Sequence, residues 1–128
     1  MMTRILFSLS LLLFSFSYSQ EWKFLFNESN RTYYYKTNDE TTAWIKIVSN
    51  KIEYYQSGIL KSIDGYKLML YKFQCNSKRI GVKQIIVYSK KGKLMRKMTE
   101  KDNLVDMQYA PKKSNARTFL NVFCNIEN

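Results

Sequence analysis

Hydrophobic and polar positions alternate with period two along most of the chain after residue 20, then change to a helical period near its end. Trp22, Phe24 and Phe26 alternate with Lys23 and Leu25, the pattern of a half-buried strand. The cluster Asn27-Glu28-Ser29-Asn30 predicts a turn, and Thr32 to Lys36 a second strand that returns beside the first as a hairpin. Asn38-Asp39-Glu40 breaks the pattern. Thr42 to Val48 reads as a third strand with Ala43, Ile45 and Ile47 on one face and Trp44 on the other. Which face lies under a covering layer is left open at this point. Lys51 to Gln56 reads equally as a strand or a short helix, and Ser57 to Gly65, with two glycines, as a connection.

The alternation then strengthens. Tyr66 to Cys75 predicts a strand with Met69, Tyr71, Phe73 and Cys75 on one face, and Asn76-Ser77-Lys78 a turn. Ile80 to Ser89 predicts the return strand, with Ile80, Val82, Ile86 and Tyr88 facing one way. Lys90-Lys91-Gly92-Lys93 is a further turn and Leu94 to Met98 an extension of the meander. No proline interrupts these segments, as internal strands require. Pro111 ends the extended part, and Ser114 is a suitable N-cap. Ala116, Phe119, Leu120, Phe123 and Cys124 then fall on one helical stripe, with Arg117, Asn121 and Asn125 away from it. The stripe puts Cys124 on the buried side of the helix, while Cys75 shares a strand face with Tyr71 and Phe73. A Cys75–Cys124 disulfide would therefore tie a C-terminal helix onto one face of an antiparallel sheet of about six strands, an α+β fold. The alternative is two free thiols.

The first residues change where this domain is expected to work. Met1 to Ser19 has a positive start at Arg4, an apolar run from Ile5 to Phe16, and small residues around Tyr18. That is the pattern of a secretory signal peptide, and the run is shorter than the roughly 20 apolar residues of a membrane span. Residues 20–128 are then a single exported domain, periplasmic or secreted. An oxidising compartment preserves disulfides, and closing a loop of about 50 residues contributes roughly 4 kcal/mol in the chain-entropy treatment. The sequence has no histidine, which removes the commonest metal ligand and general base. Its 10 acidic residues are scattered without a spacing that suggests an acid–base pair, and glycine-rich phosphate loops are absent. The expectation is a non-enzymatic protein that uses no cofactor and no metal.

Several residues, taken in order, resemble the surface-adhesin protein E-like domains of Gram-negative bacteria. They are Trp22, the tyrosine-rich second strand, Ala43-Trp44-Ile45-Lys46-Ile47, Phe73-Gln74-Cys75 with Arg79 beyond, the Gly92 hairpin, and Ala110-Pro111-Lys112-Lys113-Ser114 before a helix ending at Cys124. The resemblance runs from Trp22 to Cys124. It implies an antiparallel sheet with a disulfide-tied C-terminal helix, and a role at the cell surface, because the adhesin that names the family binds matrix proteins such as vitronectin and laminin. That adhesin is an outer-membrane lipoprotein. Here the first cysteine is Cys75, so a soluble periplasmic or released form is expected in place of lipid-anchored surface display. No binding residue of the adhesin transfers to a position of this chain.

Charge supplies the candidate site. The formal net charge is +11, and Lys90, Lys91, Lys93, Arg96, Lys97 and Lys101 crowd together in sequence, with Lys78 and Arg79 nearby. Such a cluster attracts anionic partners, a protein or an anionic glycan; nucleic acid ranks low for an exported chain. The bland reading is a solvated face whose lysines keep sheet edges from pairing. Of Tyr33, Tyr34 and Tyr35, the middle one faces opposite to its neighbours, and an outward tyrosine is a good interface anchor. Tyr34, Lys78, Arg79, Lys90, Lys91, Lys93, Arg96 and Lys97 are the candidate partner-binding residues. Two functions follow: an adhesin-like binding domain, or an envelope accessory protein with a neighbouring protein as its partner. Unpaired sheet edges leave a homodimer open.

Overall fold

Tight turns at Ser, Asn and Gly fold the extended segments back on one another in strict succession. Ser29 and Asn30 both take positive φ, 48° and 65°, and so do Ser57 and Gly58, 53° and 79°. Two left-handed residues in a row match the twist of the strands they join. The computed structural model describes residues 21–126; the expected signal peptide, residues 1–19, lies outside them. The strands are β1 (Lys23–Glu28), β2 (Arg31–Thr37), β3 (Thr42–Gln56), β4 (Ile59–Gln74), β5 (Arg79–Ser89), β6 (Leu94–Thr99) and β7 (Gln108–Tyr109). They form one antiparallel sheet in chain order from β1 to β6, with the two-residue β7 continuing the β6 edge alongside Arg79 and Ile80. A 3-10 turn (Asp102–Leu104) precedes β7, and the helix α1 (Asn115–Phe123) ends the fold. This is the expected meander and helix, with β7 as a seventh strand.

The middle of the chain departs from expectation. Lys51–Gln56 is strand, and Ser57 to Gly65 is no connection: the β3–β4 hairpin turns on two residues and continues from Ile59. Its strands have 15 and 16 residues, about 50 Å if straight. A bulge between Ser49 and Ile52 shifts the register and bends the hairpin, so that β3 crosses the inner face to touch β6.

Bulges also decide which residues face the core. One between Phe24 and Phe26 puts these two rings on opposite faces, against simple alternation. Another, opposite Leu70 and Tyr71, lies at Lys83, so Ile80 and Val82 share a face with Ile85 and Val87 and not with Ile86 and Tyr88. The bulge residue reverses the parity of everything after it. Nothing in the composition of Val82-Lys83-Gln84 marks it.

Ala43, Ile45, Tyr71, Phe73 and Ile80 form the floor of the main core, which α1 covers with Phe119 and Leu120. Ser114 caps the helix, its Oγ accepting from the Arg117 N–H at 3.1 Å. Cys75 and Cys124 form the disulfide, with Cα atoms 5.8 Å apart. Arg117 departs from the helical stripe as read: it is buried. Its guanidinium donates to the Ala110 carbonyl and the Tyr109 hydroxyl, both at 2.8 Å, tying α1 to β7. These acceptors satisfy the buried cation without a carboxylate partner.

A candidate binding face

The sheet has an inner face beneath α1 and an open face on the other side. Strand register defines the open face in three rows. The first is Lys36, Trp44, Leu70, Gln84 and Thr99; the second Phe24, Tyr34, Lys46, Leu68, Ile86 and Lys97; the third Thr32, Val48, Tyr66, Tyr88 and Leu94. No Asp or Glu stands in any of them. Trp44 therefore faces away from the helix, while Ala43, Ile45 and Ile47 lie on the helix side.

Aromatic rings and lysines pack side by side here. Trp22 receives Lys36 Nζ at 5.0 Å and Lys46 Nζ at 5.7 Å from its ring centre. Lys46 also lies 5.0 Å over Tyr66, whose ring stacks on Tyr88 at 5.1 Å. Phe24 meets Tyr34 edge-on at 6.2 Å. Such cation–ring contacts hold lysine heads against the face without removing their charge. Phe24, Val48 and Leu94 are exposed.

Chain crosses this face near the β4–β5 turn. A Cβ at Gly81 would meet Asp106 O and Val105 Cγ1 there, so glycine is what lets the segment lie down. Asp102 pins it by ion pairs to Lys72 at 3.0 Å and Lys83 at 3.3 Å. Hydrogen bonds from these two lysines hold the Asp102 carboxyl below its ordinary pKa.

The expected cationic cluster is divided by the fold. Lys90, Lys91 and Lys93 do share the β5–β6 turn, where the Lys90 N–H donates to the Asp64 carbonyl. Lys78 and Arg79 lie at the other end of β5, about 35 Å away along an 11-residue strand. Arg96 pairs with Val87 on the inner face, whereas Lys97 pairs with Ile86 on the open face. Tyr34 is on the open face as expected, between the inward-facing Tyr33 and Tyr35. The structure thus brings together Tyr34 and Lys97 with Lys36, Lys46, Trp22, Trp44, Tyr66 and Tyr88. The sequence alone does not mark the last six as binding residues, because only strand register shows that they share a surface.

What these features define is a disulfide-stapled antiparallel meander with one sheet face closed by a helix and the other left aromatic and cationic. No protein-family model, curated protein or solved structure matches the chain. Among the described residues no helix is long and apolar enough to cross a membrane.

Proposed function

We propose that this is an exported, non-enzymatic binding domain, adhesin-like in its role, that holds an acidic protein partner against the open face of its sheet. The observation that carries the reading is the composition of that face: three rows of side chains with five aromatic rings, three lysines and no carboxylate. A face meant only for solvent carries polar residues in alternation with the core, and large aromatic groups there supply interface anchors. The lysines select for acidic surfaces and speed encounter. The hairpin tip with Lys90, Lys91 and Lys93 adds to steering from a distance. The adhesin-like family resemblance points the same way.

The test is binding of the exported protein to immobilised laminin, vitronectin and heparin at low and high salt. We expect saturable binding to a protein surface that persists at high salt. Tyr34→Ala/Lys46→Glu should weaken it at least tenfold, and Lys90→Glu/Lys91→Glu/Lys93→Glu should act mainly on the association rate. Binding seen only at low salt, and equally to every polyanion, would reduce the site to screened electrostatics and refute the reading.

A further inference from the structure

The outer end of the β3–β4 hairpin, curled over β5 and β6, encloses a cleft of about 320 Å³ on the inner face, beyond the end of the helix-covered core. That volume lies in the range of small-molecule sites, which combine apolar walls with a few placed polar groups. Leu60, Ile85, Val87 and Met98 give the apolar wall, and Lys67, Arg96 and Glu53 the charges. Lys67 and Arg96 flank Val87 in one row across β4, β5 and β6.

Lys67 is unusual in its place. It interrupts the inward row of β4 between Ile47 and Val87 and is half-buried. The salt bridges among the described residues both belong to Asp102, so neither Lys67 nor Arg96 has a paired carboxylate. Burial first, and the Arg31 charge second, lower the Lys67 pKa, while Glu53 acts weakly in the other direction. A half-buried ammonium without a paired anion is costly, and an incoming anion relieves that cost. Lys67, Arg96 and the Arg31 charge that bears on Lys67 outweigh the single carboxylate of Glu53, so the cleft offers an excess of positive charge to an anion. Arginine and carboxylate also have matching planar geometry.

We propose that this cleft binds a medium-chain monocarboxylate, with its alkyl tail against Leu60, Ile85 and Met98 and its head group between Lys67 and Arg96. The site is separate from the open face, and its ligand is a small amphiphile and not a protein.

The probe is sodium decanoate below its micelle-forming concentration, followed by amide and methyl NMR shifts of the exported protein. Acetate and decyltrimethylammonium serve as the head-only and wrong-charge comparisons. Saturable shifts at Leu60, Ile85 and Met98 are expected with decanoate, with acetate at least tenfold weaker and the cation not saturating. Lys67→Met, which keeps the apolar stem, should weaken decanoate at least tenfold. Arg96→Gln, at an exposed position that leaves the core intact, should weaken it about fivefold and keeps the test decisive if Lys67→Met fails to fold. Unchanged affinity in Arg96→Gln, equal binding of the cationic surfactant, shifts confined to the open face, or no saturable binding would each overturn the proposal.

Discussion

On the inner face of the sheet, Ile45 and Leu120 lose essentially all contact with water where aromatic rings from β1, β2, β4 and the helix interlock, and Val87 does so in a second cluster with Ile52 and Tyr54. On the open face the sheet presents Trp44, Tyr66 and Tyr88, with Lys46 laid over the Tyr66 ring and Lys36 and Lys46 over Trp22, and no helix covers them. Both faces are rich in aromatic residues, so composition alone does not separate core from surface. The inner face packs aliphatic residues and phenylalanine together with Tyr33 and Tyr54, whose rings are buried. The open face uses tyrosine, tryptophan and lysine, whose polar ends stay wet while their apolar bodies shield one another. Stability should therefore reside in the inner face and recognition in the open one, and mutations should separate the two.

The largest expected effect is on the inner face. Replacing Cys124 by Ser opens a link spanning 49 residues and should cost about 4 kcal/mol, lowering the melting temperature by at least about 10 °C; a differential scanning measurement with and without reductant checks it. Leu120→Ala, beneath the helix and fully buried, should cost about 3 kcal/mol by lost transfer energy and cavity formation, read from urea unfolding. Next in size is an alkaline effect. Burial, with Tyr33 nearby as a smaller cause, raises the Tyr71 phenol from 10.0 to about 12. Below pH 10 both folded and unfolded chains keep that proton. Between pH 10 and 12 the unfolded chain loses it first, so stability should fall by on the order of 2 kcal/mol across that window. Tyr71→Phe should remove that part of the slope in pH-dependent unfolding. The smallest effect belongs to the open face: Tyr34→Ala and Lys46→Ala should each change stability by less than about 0.5 kcal/mol while weakening partner binding. An open-face substitution as damaging as Leu120→Ala would show that this face is also structural.

Much of the inner face was legible before the structure. The helical stripe of Phe119, Leu120, Phe123 and Cys124, the cap at Ser114 and the strand face of Tyr71, Phe73 and Cys75 follow from strong periodicity, and together they pair the cysteines. What stayed hidden depends on single-residue shifts and on long-range register. The bulges at Leu25 and Lys83 reverse facing without a distinctive residue to mark them. The Ser57-Gly58 turn reads from sequence as part of a longer connection because Lys61, Ser62 and Asp64 make the early part of β4 polar. Sequence proximity also misled: Arg96 and Lys97 are adjacent in the chain and face opposite ways. Lys67 carries a signal in the sequence, as the one cation on its side of the Tyr66–Cys75 segment, which otherwise reads Met69, Tyr71, Phe73, but its cleft depends on how the hairpin bends.

The two tryptophans of the chain, Trp22 and Trp44, both belong to the open face, so their fluorescence reports on it alone. The most direct test is acrylamide quenching of that emission in the exported protein, with and without saturating laminin or whichever protein partner the binding assay identifies. A partner seated on the open face should shift the emission to the blue and at least halve the quenching constant, and decanoate in the separate cleft should change neither. Saturable partner binding that leaves both the emission and its quenching unchanged would contradict the assignment of recognition to this face.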